Sequence, residues 1–310
     1  MSNARTTNLP AAATAAEHNA YFASGTNNPG EIRGFDAIGH AIGTVAHNVR
    51  GRVEQALLAT TVPVFVDSGA FSEVKFPVDA AGRVCGPPVV VKEITDAVWL
   101  QRIAAYRRLG AAMGSRLSVV APDLVGSQER TLDRQRRYSF AMRGVFATGA
   151  EVLVPLQRGA LSLVEMELAC ADALGVELDS FVVAIPFKKS ATSLESLEAY
   201  LTARQPRRVH VLGMGPGNRQ AAQVFALFAR LAPETVLTFD SCLIRANVGR
   251  TNGPNNGPRK LTIARDVAEA HLASIGVEYS SEACKELAIQ IAFGTAPVLA
   301  PAAPVQLELF

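Results

Sequence analysis

What most constrains this chain is a short apolar run, rich in β-branched residues, that recurs and stops each time at a polar residue or a glycine. The runs are VPVFVDSG (62–69), LSVVAPD (117–123), VLVPLQRG (152–159), FVVAIPF (181–187), VHVLGMG (209–215) and TVLTFDS (235–241). Between them lie stretches of helical periodicity at 97–113, 129–147, 161–174, 194–204 and 219–231. The last four runs begin at 152, 181, 209 and 235, the repeat of βα units feeding a parallel sheet. They are apolar on both faces, as strands covered from two sides must be. NAYFASG (19–25) reads as a first strand, and KLTI (260–263) or GVEYS (276–280) as the eighth. Seven or eight such units in 310 residues predict an α/β fold, a (β/α)8 TIM-like barrel in a single domain over 19–294. An open doubly wound sheet is the alternative. Residues 1–18 read as a disordered lead-in, and 295–310 as a Pro/Ala tether ending in a short peptide.

Composition fits a barrel of that size: 49% of the residues are hydrophobic and 19% charged. The net charge of +2 does not by itself demand a polyanionic partner. No run of eighteen apolar residues exists, so no membrane-spanning helix is expected, and the first residues lack the apolar segment of a secretory signal. Cys85, Cys170, Cys242 and Cys284 are far apart with no C-x-x-C pair. That pattern predicts reduced thiols in a cytoplasmic protein, with no disulfide framework.

In a barrel, chemistry gathers at the C-terminal ends of the strands. Those ends carry Asp67, Asp123, Gln157 and Asp240. Any one Asp there is explained by capping the following helix. Four polar strand ends together point to a common site, and paired carboxylates suit glycosidic chemistry, one attacking the anomeric carbon while the other moves protons, as they suit other two-carboxylate reactions. A rival motif is VHVLGMGPGN, where Gly213, Gly215 and Gly217 follow a strand as in a dinucleotide-binding turn. Its spacing is G-x-G-x-G with Pro216 inside, so the glycines read instead as allowing close backbone approach to a base or sugar.

In this order, the strand ends resemble the tRNA-guanine transglycosylase superfamily. Its Asp-Ser-Gly motif is similar to DSGAFS (67–72), its base-reading Asp to Asp123 in APDLVGS, and its Gln-Gly segment to PLQRG (155–159). Its Met-Gly-x-Gly strand end is similar to LGMGPGN (212–218), and its nucleophile motif to FDSCLIRANVGRTNG (239–253). The resemblance implies that Asp240 is the nucleophile on C1′ of a guanosine nucleotide and that Asp67 is the acid/base group. It implies a base site of Asp123, Gln157, Gly159, Gly213, Gly215 and Ser68, with Asp123 facing the guanine N1–H and amino group and Gln157 facing O6. A carboxylate opposite two adjacent donors is a sound guanine reader. Three departures stand out. The closely spaced cysteines and histidine of the family's zinc site are missing, so no cofactor or structural metal is expected; His18, His40, His47, His210 and His271 are scattered and read mostly as core or solvated residues. IPFKK (185–189) replaces a glycine pair, and Ser72 stands where the family has Gln. These departures resemble the divergent branch that places 7-deazaguanine bases in DNA.

A nucleic-acid substrate needs phosphate contacts and room to flip a base. Arg245, Arg250 and Arg259 in the Asn/Gly-rich loop at 245–260, with Lys188 and Lys189, are the expected track. Arg130, Arg134, Arg136 and Arg137 of ERTLDRQRRY are further phosphate contacts or a solvated, ion-paired helix face. The final QLELF resembles the peptide by which bacterial replication and repair proteins dock on the sliding clamp: Gln306, Leu307, Leu309 and Phe310 would be its anchors, extended on the Pro/Ala string. A clamp partner implies DNA. The alternative polymer is tRNA, the alternative for the tail is packing on the barrel, and a companion protein that opens the duplex is a further expected partner. A non-catalytic nucleic-acid-binding relative and a dinucleotide oxidoreductase are the remaining functional alternatives.

Overall fold

The computed structural model describes residues 20–37, 41–187, 191–214 and 220–242. Eight parallel strands form a closed barrel. In chain order these are β1 (Ala20–Ala23), β2 (Ile42–Val45), β3 (Val64–Asp67), β6 (Leu117–Val120), β7 (Glu151–Pro155), β8 (Val182–Pro186), β9 (Arg208–Leu212) and β10 (Val236–Ser241). A small antiparallel pair, β4 (Val74–Lys75) with β5 (Val89–Val90), is inserted after β3. Helices α1 (Pro29–Ala37), α2 (Gly51–Leu58), α3 (Asp96–Met113), α4 (Gln128–Phe146), α5 (Leu163–Leu174), α6 (Leu194–Ala203) and α7 (Ala221–Leu231) join the strands. The barrel closes where β1 pairs with β10, Phe22 standing beside Asp240. Closure excludes the open doubly wound sheet, and with it the mononucleotide halves that a dinucleotide turn at Gly213 would need.

Five of the helices match the expected spans within two residues at each end. The eighth strand does not fall where expected. It is β2, between the first and third, and β10 closes on β1 without any later segment; 260–263 and 276–280 lie outside the described residues, as does the remainder of the span expected to reach 294. β2 reads IGTV, four residues with a glycine in the middle, too short and too broken for the pattern to show. Gly43 is there because β1 presses on it: a Cβ would lie 2.5 Å from Ser24 Oγ and 2.8 Å from Ser24 Cα.

Alternation along each strand builds two apolar layers. Outward residues such as Val119, Val152, Val154, Val209 and Val211 pack with Trp99, Tyr106, Met142, Met166 and Leu197 of the helices. Inward residues Phe22, Phe65, Val120, Leu153, Val182 and Ala184 fill the barrel. Local signals fix where helices start. Ser127, Ser162 and Ser193 each accept a backbone N–H at the N-terminus of α4, α5 and α6, and Ser162 with Glu165 forms a reciprocal capping box. Gly175, left-handed, ends α5. Among the described residues no helix is long and apolar enough to cross a membrane.

Candidate active site at the barrel mouth

Two polar clusters form at the C-terminal ends of the strands. The first is built on Asp240. Period-two alternation turns Thr238 and Asp240 of β10 and His210 of β9 inward. Ser24, just past β1, donates its hydroxyl to Oδ2 of Asp240 at 2.8 Å. The Gly213 N–H donates to Oδ1 at 2.7 Å. Gly213 has φ of +71°, a conformation few side chains tolerate, and that turn is what aims its N–H at the carboxylate. Nε2 of His210 stands 3.4 Å from the same oxygen, while its Nδ1 meets the Thr238 hydroxyl at 2.8 Å. Asp240 is buried. Burial pushes its carboxyl up, but the bonds from His210, Gly213 and Ser24, with the electrostatic pull of the imidazole, outweigh it and hold the group below the usual carboxylate value.

The second cluster spans β3, β6 and β7. The Ser68 hydroxyl donates to Asp123 Oδ1 at 2.7 Å, and the Gln157 amide donates to Oδ2 at 2.8 Å. Gln157 is itself fixed, its Oε1 accepting the Gly126 N–H at 2.8 Å. From behind, Arg134 of α4 donates to the Asp123 carbonyl oxygen and grips Glu73 through two bonds of 2.6 and 2.8 Å. Arg102 of α3 donates to the Ser68 carbonyl at 2.6 Å, and both guanidinium groups lie over the Trp99 ring. Burial drives the Asp123 carboxyl up to about 6, against the pull of Ser68, Arg134 and Gln157; the nearby Glu73 charge adds to the rise. Half-buried Asp67, at the end of β3, accepts the Gly69 N–H at 2.6 Å.

The helix-capping explanation does not hold for Asp123, because Ser127 caps α4; Asp240 is bonded by Ser24, Gly213 and His210. Of the expected site residues, Ser68, Asp123 and Gln157 come together, and Asp240 meets Gly213. Gly159, expected at the base site, lies against Gln128. A Cβ there would lie 2.3 Å from the Gln128 amide oxygen, so this glycine makes room for Gln128, which bonds the backbone of Leu161 twice. Gly215, Lys188, Lys189, Arg245, Arg250, Arg259, Gln306, Leu307, Leu309 and Phe310 lie outside the described residues, as do His18, His40, His271 and Cys284.

On α4, Arg134 is buried against Glu73 and cannot meet a phosphate. Arg130, Arg136 and Arg137 pair with Glu93, Asp133 and Asp96, the ion-paired helix face of the alternative reading. Cys85 and Cys170 are free thiols. Among the described residues no group of three His, Cys, Asp or Glu side chains could hold a metal ion. Sequence reasoning missed Ser24, Thr238, Glu73 and Arg102, placed Arg134 only as a phosphate contact or ion-paired helix residue, and read His210 only as one of the scattered core or solvated histidines. His210 and Thr238 had a local signal, a polar residue at an inward position of an otherwise apolar strand.

No family model and no curated protein matches the chain. Solved structures similar to it include D-allulose 3-epimerase from a Methylomonas species, at 12% identity and TM-score 0.40 over 73% of this chain and 85% of that one. Dihydrodipicolinate synthase from Agrobacterium tumefaciens is similar at 11% identity and TM-score 0.34, over 90% and 98%. The Bacillus clausii dihydrodipicolinate synthase is similar at 11% identity and TM-score 0.37, over 89% and 97%. At these values nothing of their chemistry transfers to this chain.

Proposed function

We propose that this protein is an enzyme, a base-exchange glycosyltransferase that replaces guanine in DNA with a 7-deazaguanine such as 7-cyano-7-deazaguanine. The observation that carries the reading is the Asp240 carboxylate, held ionised by three donors at the barrel mouth. A glycosidic nucleophile has to be ionised at working pH and oriented before substrate arrives. An Asp240 oxygen bonds to C1′ while the C1′–N9 pair leaves with guanine. Asp67, protonated at that stage, supplies the guanine with its proton. The incoming base then gives its ring N–H proton to Asp67, bonds to C1′ and releases the carboxylate.

Asp123, fixed between Ser68 and Gln157, offers lone pairs to two adjacent donors, the pattern shared by guanine and 7-deazaguanine. Gln157 is already bonded to Asp123 and Gly126, so its expected contact to O6 requires the amide to share its second N–H. DNA rather than tRNA rests on the likeness of QLELF to a clamp-docking peptide.

The test is to express the protein, digest cellular DNA and tRNA to nucleosides, and search both for 7-deazaguanine by mass. A modified deoxynucleoside supports the reading. Modified tRNA alone keeps the chemistry and overturns the polymer. Neither, with no exchange of labelled guanine in vitro, rejects the transglycosylase.

A further inference from the structure

His210, Thr238 and Asp240 are bonded in series inside the barrel. Thr238 Oγ1 is 2.8 Å from His210 Nδ1, and His210 Nε2 is 3.4 Å from Asp240 Oδ1. The ring is wholly buried, stacked on Phe65 with centroids 4.8 Å apart and tilted against Phe22 at 6.0 Å. An apolar side chain would fill that space without needing partners for two nitrogens. We propose that His210, keyed by Thr238, is a positioning residue for Asp240: it fixes Oδ1 toward the barrel interior, supports the carboxylate's negative charge, and leaves Oδ2 to meet the sugar. The inference deepens, and rests on, the reading of Asp240 as the nucleophile.

The bonding pattern sets the proton that matters. A carboxylate only accepts, so Nε2 carries a proton toward Oδ1, while the Thr238 hydroxyl, which both donates and accepts, partners Nδ1 in either of its protonation states. Oδ1 then carries two donors, from His210 and Gly213. Oδ2 carries one, the Ser24 hydroxyl, which can rotate away. On attack, a lone pair of Oδ2 forms the bond to C1′, the C1′–N9 pair leaves with guanine, and Oδ1 becomes the ester carbonyl oxygen. In the second half, the incoming base nitrogen bonds to C1′ and the C1′–Oδ2 pair returns to the carboxylate. Donors on Oδ1 favour this second step because they stabilise the returning charge. Loss of one makes the carboxylate a poorer leaving group, and the covalent adduct lingers.

The experiment follows the 13Cγ signal of Asp240 with pH in the wild type, His210→Met and His210→Gln, with Asp240→Asn to assign it. Among the described residues, Ser24, Gly213 and His210 bond Asp240, with Thr238, Phe22 and Phe65 around the imidazole; of these His210 is the titratable one. In His210→Met the Asp240 midpoint rises by about one pH unit. His210→Gln, whose amide N–H reaches Oδ1, titrates near the wild type. An unmoved midpoint in His210→Met overturns the proposal. If His210→Met does not fold, Thr238→Val is read the same way, with a smaller rise expected and no rise overturning it. This readout needs no substrate, so it is independent of whether base exchange occurs. With substrate, the fraction trapped as adduct rises several-fold in His210→Met and returns in His210→Gln. An unchanged fraction overturns the positioning role, whereas absence of exchange by the wild type rejects the transglycosylase reading and leaves the titration to decide the rest.

Discussion

Replacing Glu73 by alanine tests whether the support behind Asp123 is structural. Glu73 is buried, and its two oxygens hold both terminal nitrogens of Arg134 at 2.6 and 2.8 Å, while Oε1 also accepts the Ile94 N–H at 2.5 Å. Alanine leaves a largely buried guanidinium without its counter-ion and orphans a backbone donor. Removing one partner of a buried pair costs about 3–5 kcal/mol, because the charge left behind keeps its desolvation penalty. For a domain of this size that is a fall in Tm on the order of 10 °C. Replacing both partners, as in Glu73→Leu with Arg134→Met, removes the unpaired charge but leaves the Ile94 N–H and the Asp123 carbonyl without partners, so the double variant recovers only part of the loss. Urea unfolding with matched m-values measures all three proteins. A Glu73→Ala variant within about 1 kcal/mol of the wild type would refute the reasoning. The double variant also reports on the site: it loses the Arg134 bond to the Asp123 carbonyl, so on the proposed reading its guanine affinity falls.

Other perturbations have directions fixed by the same contacts. Ser68→Ala removes a donor to the Asp123 anion, so the carboxyl, already near 6, titrates higher. On the proposed reading guanine binding needs the ion, so it weakens at neutral pH and returns about one pH unit higher, seen in the pH dependence of Kd. Stability has the opposite sense: a carboxyl raised from 3.8 to about 6 by burial costs nothing while protonated. It lowers folding stability by on the order of 3 kcal/mol as pH rises from about 4 to 6. Ser68→Ala widens that window upward, which urea titrations across pH 4–8 would detect. Gly43→Ala forces a Cβ into the Ser24 backbone, 2.8 Å from its Cα, and so shifts the end of β1 beside Asp240; base exchange is expected to drop at least about tenfold with the barrel still folded by circular dichroism. An unchanged rate would show that the placement of β1 does not set the Asp240 site.

How far the sequence reveals the molecule differs by element. β8 is legible because FVVAIPF is apolar throughout, as a strand buried on both faces must be. β2 is not, because its Gly43 answers to a contact with Ser24 that no local pattern encodes. Asp67, Asp123, Gln157 and Asp240 are legible for one reason: each ends an apolar run, and a barrel sends such ends to one mouth. The groups that tune them are hidden by distance along the chain. Glu73 and Arg134 are 61 residues apart and look like ordinary surface charges until folding buries both. Ser24 meets Asp240 across 216 residues, only because β1 and β10 close the barrel.

The central claim, that Asp240 becomes covalently attached to the sugar, can be read directly by mass. The protein is incubated with guanine-containing DNA, quenched in denaturant before exchange completes, and digested with protease and nuclease. The peptide containing Asp240 should be heavier by one deoxyribosyl nucleotide remnant, and Asp240→Asn should show neither the adduct nor exchange. An adduct on Asp67 instead, or full base exchange by Asp240→Asn, would contradict the account.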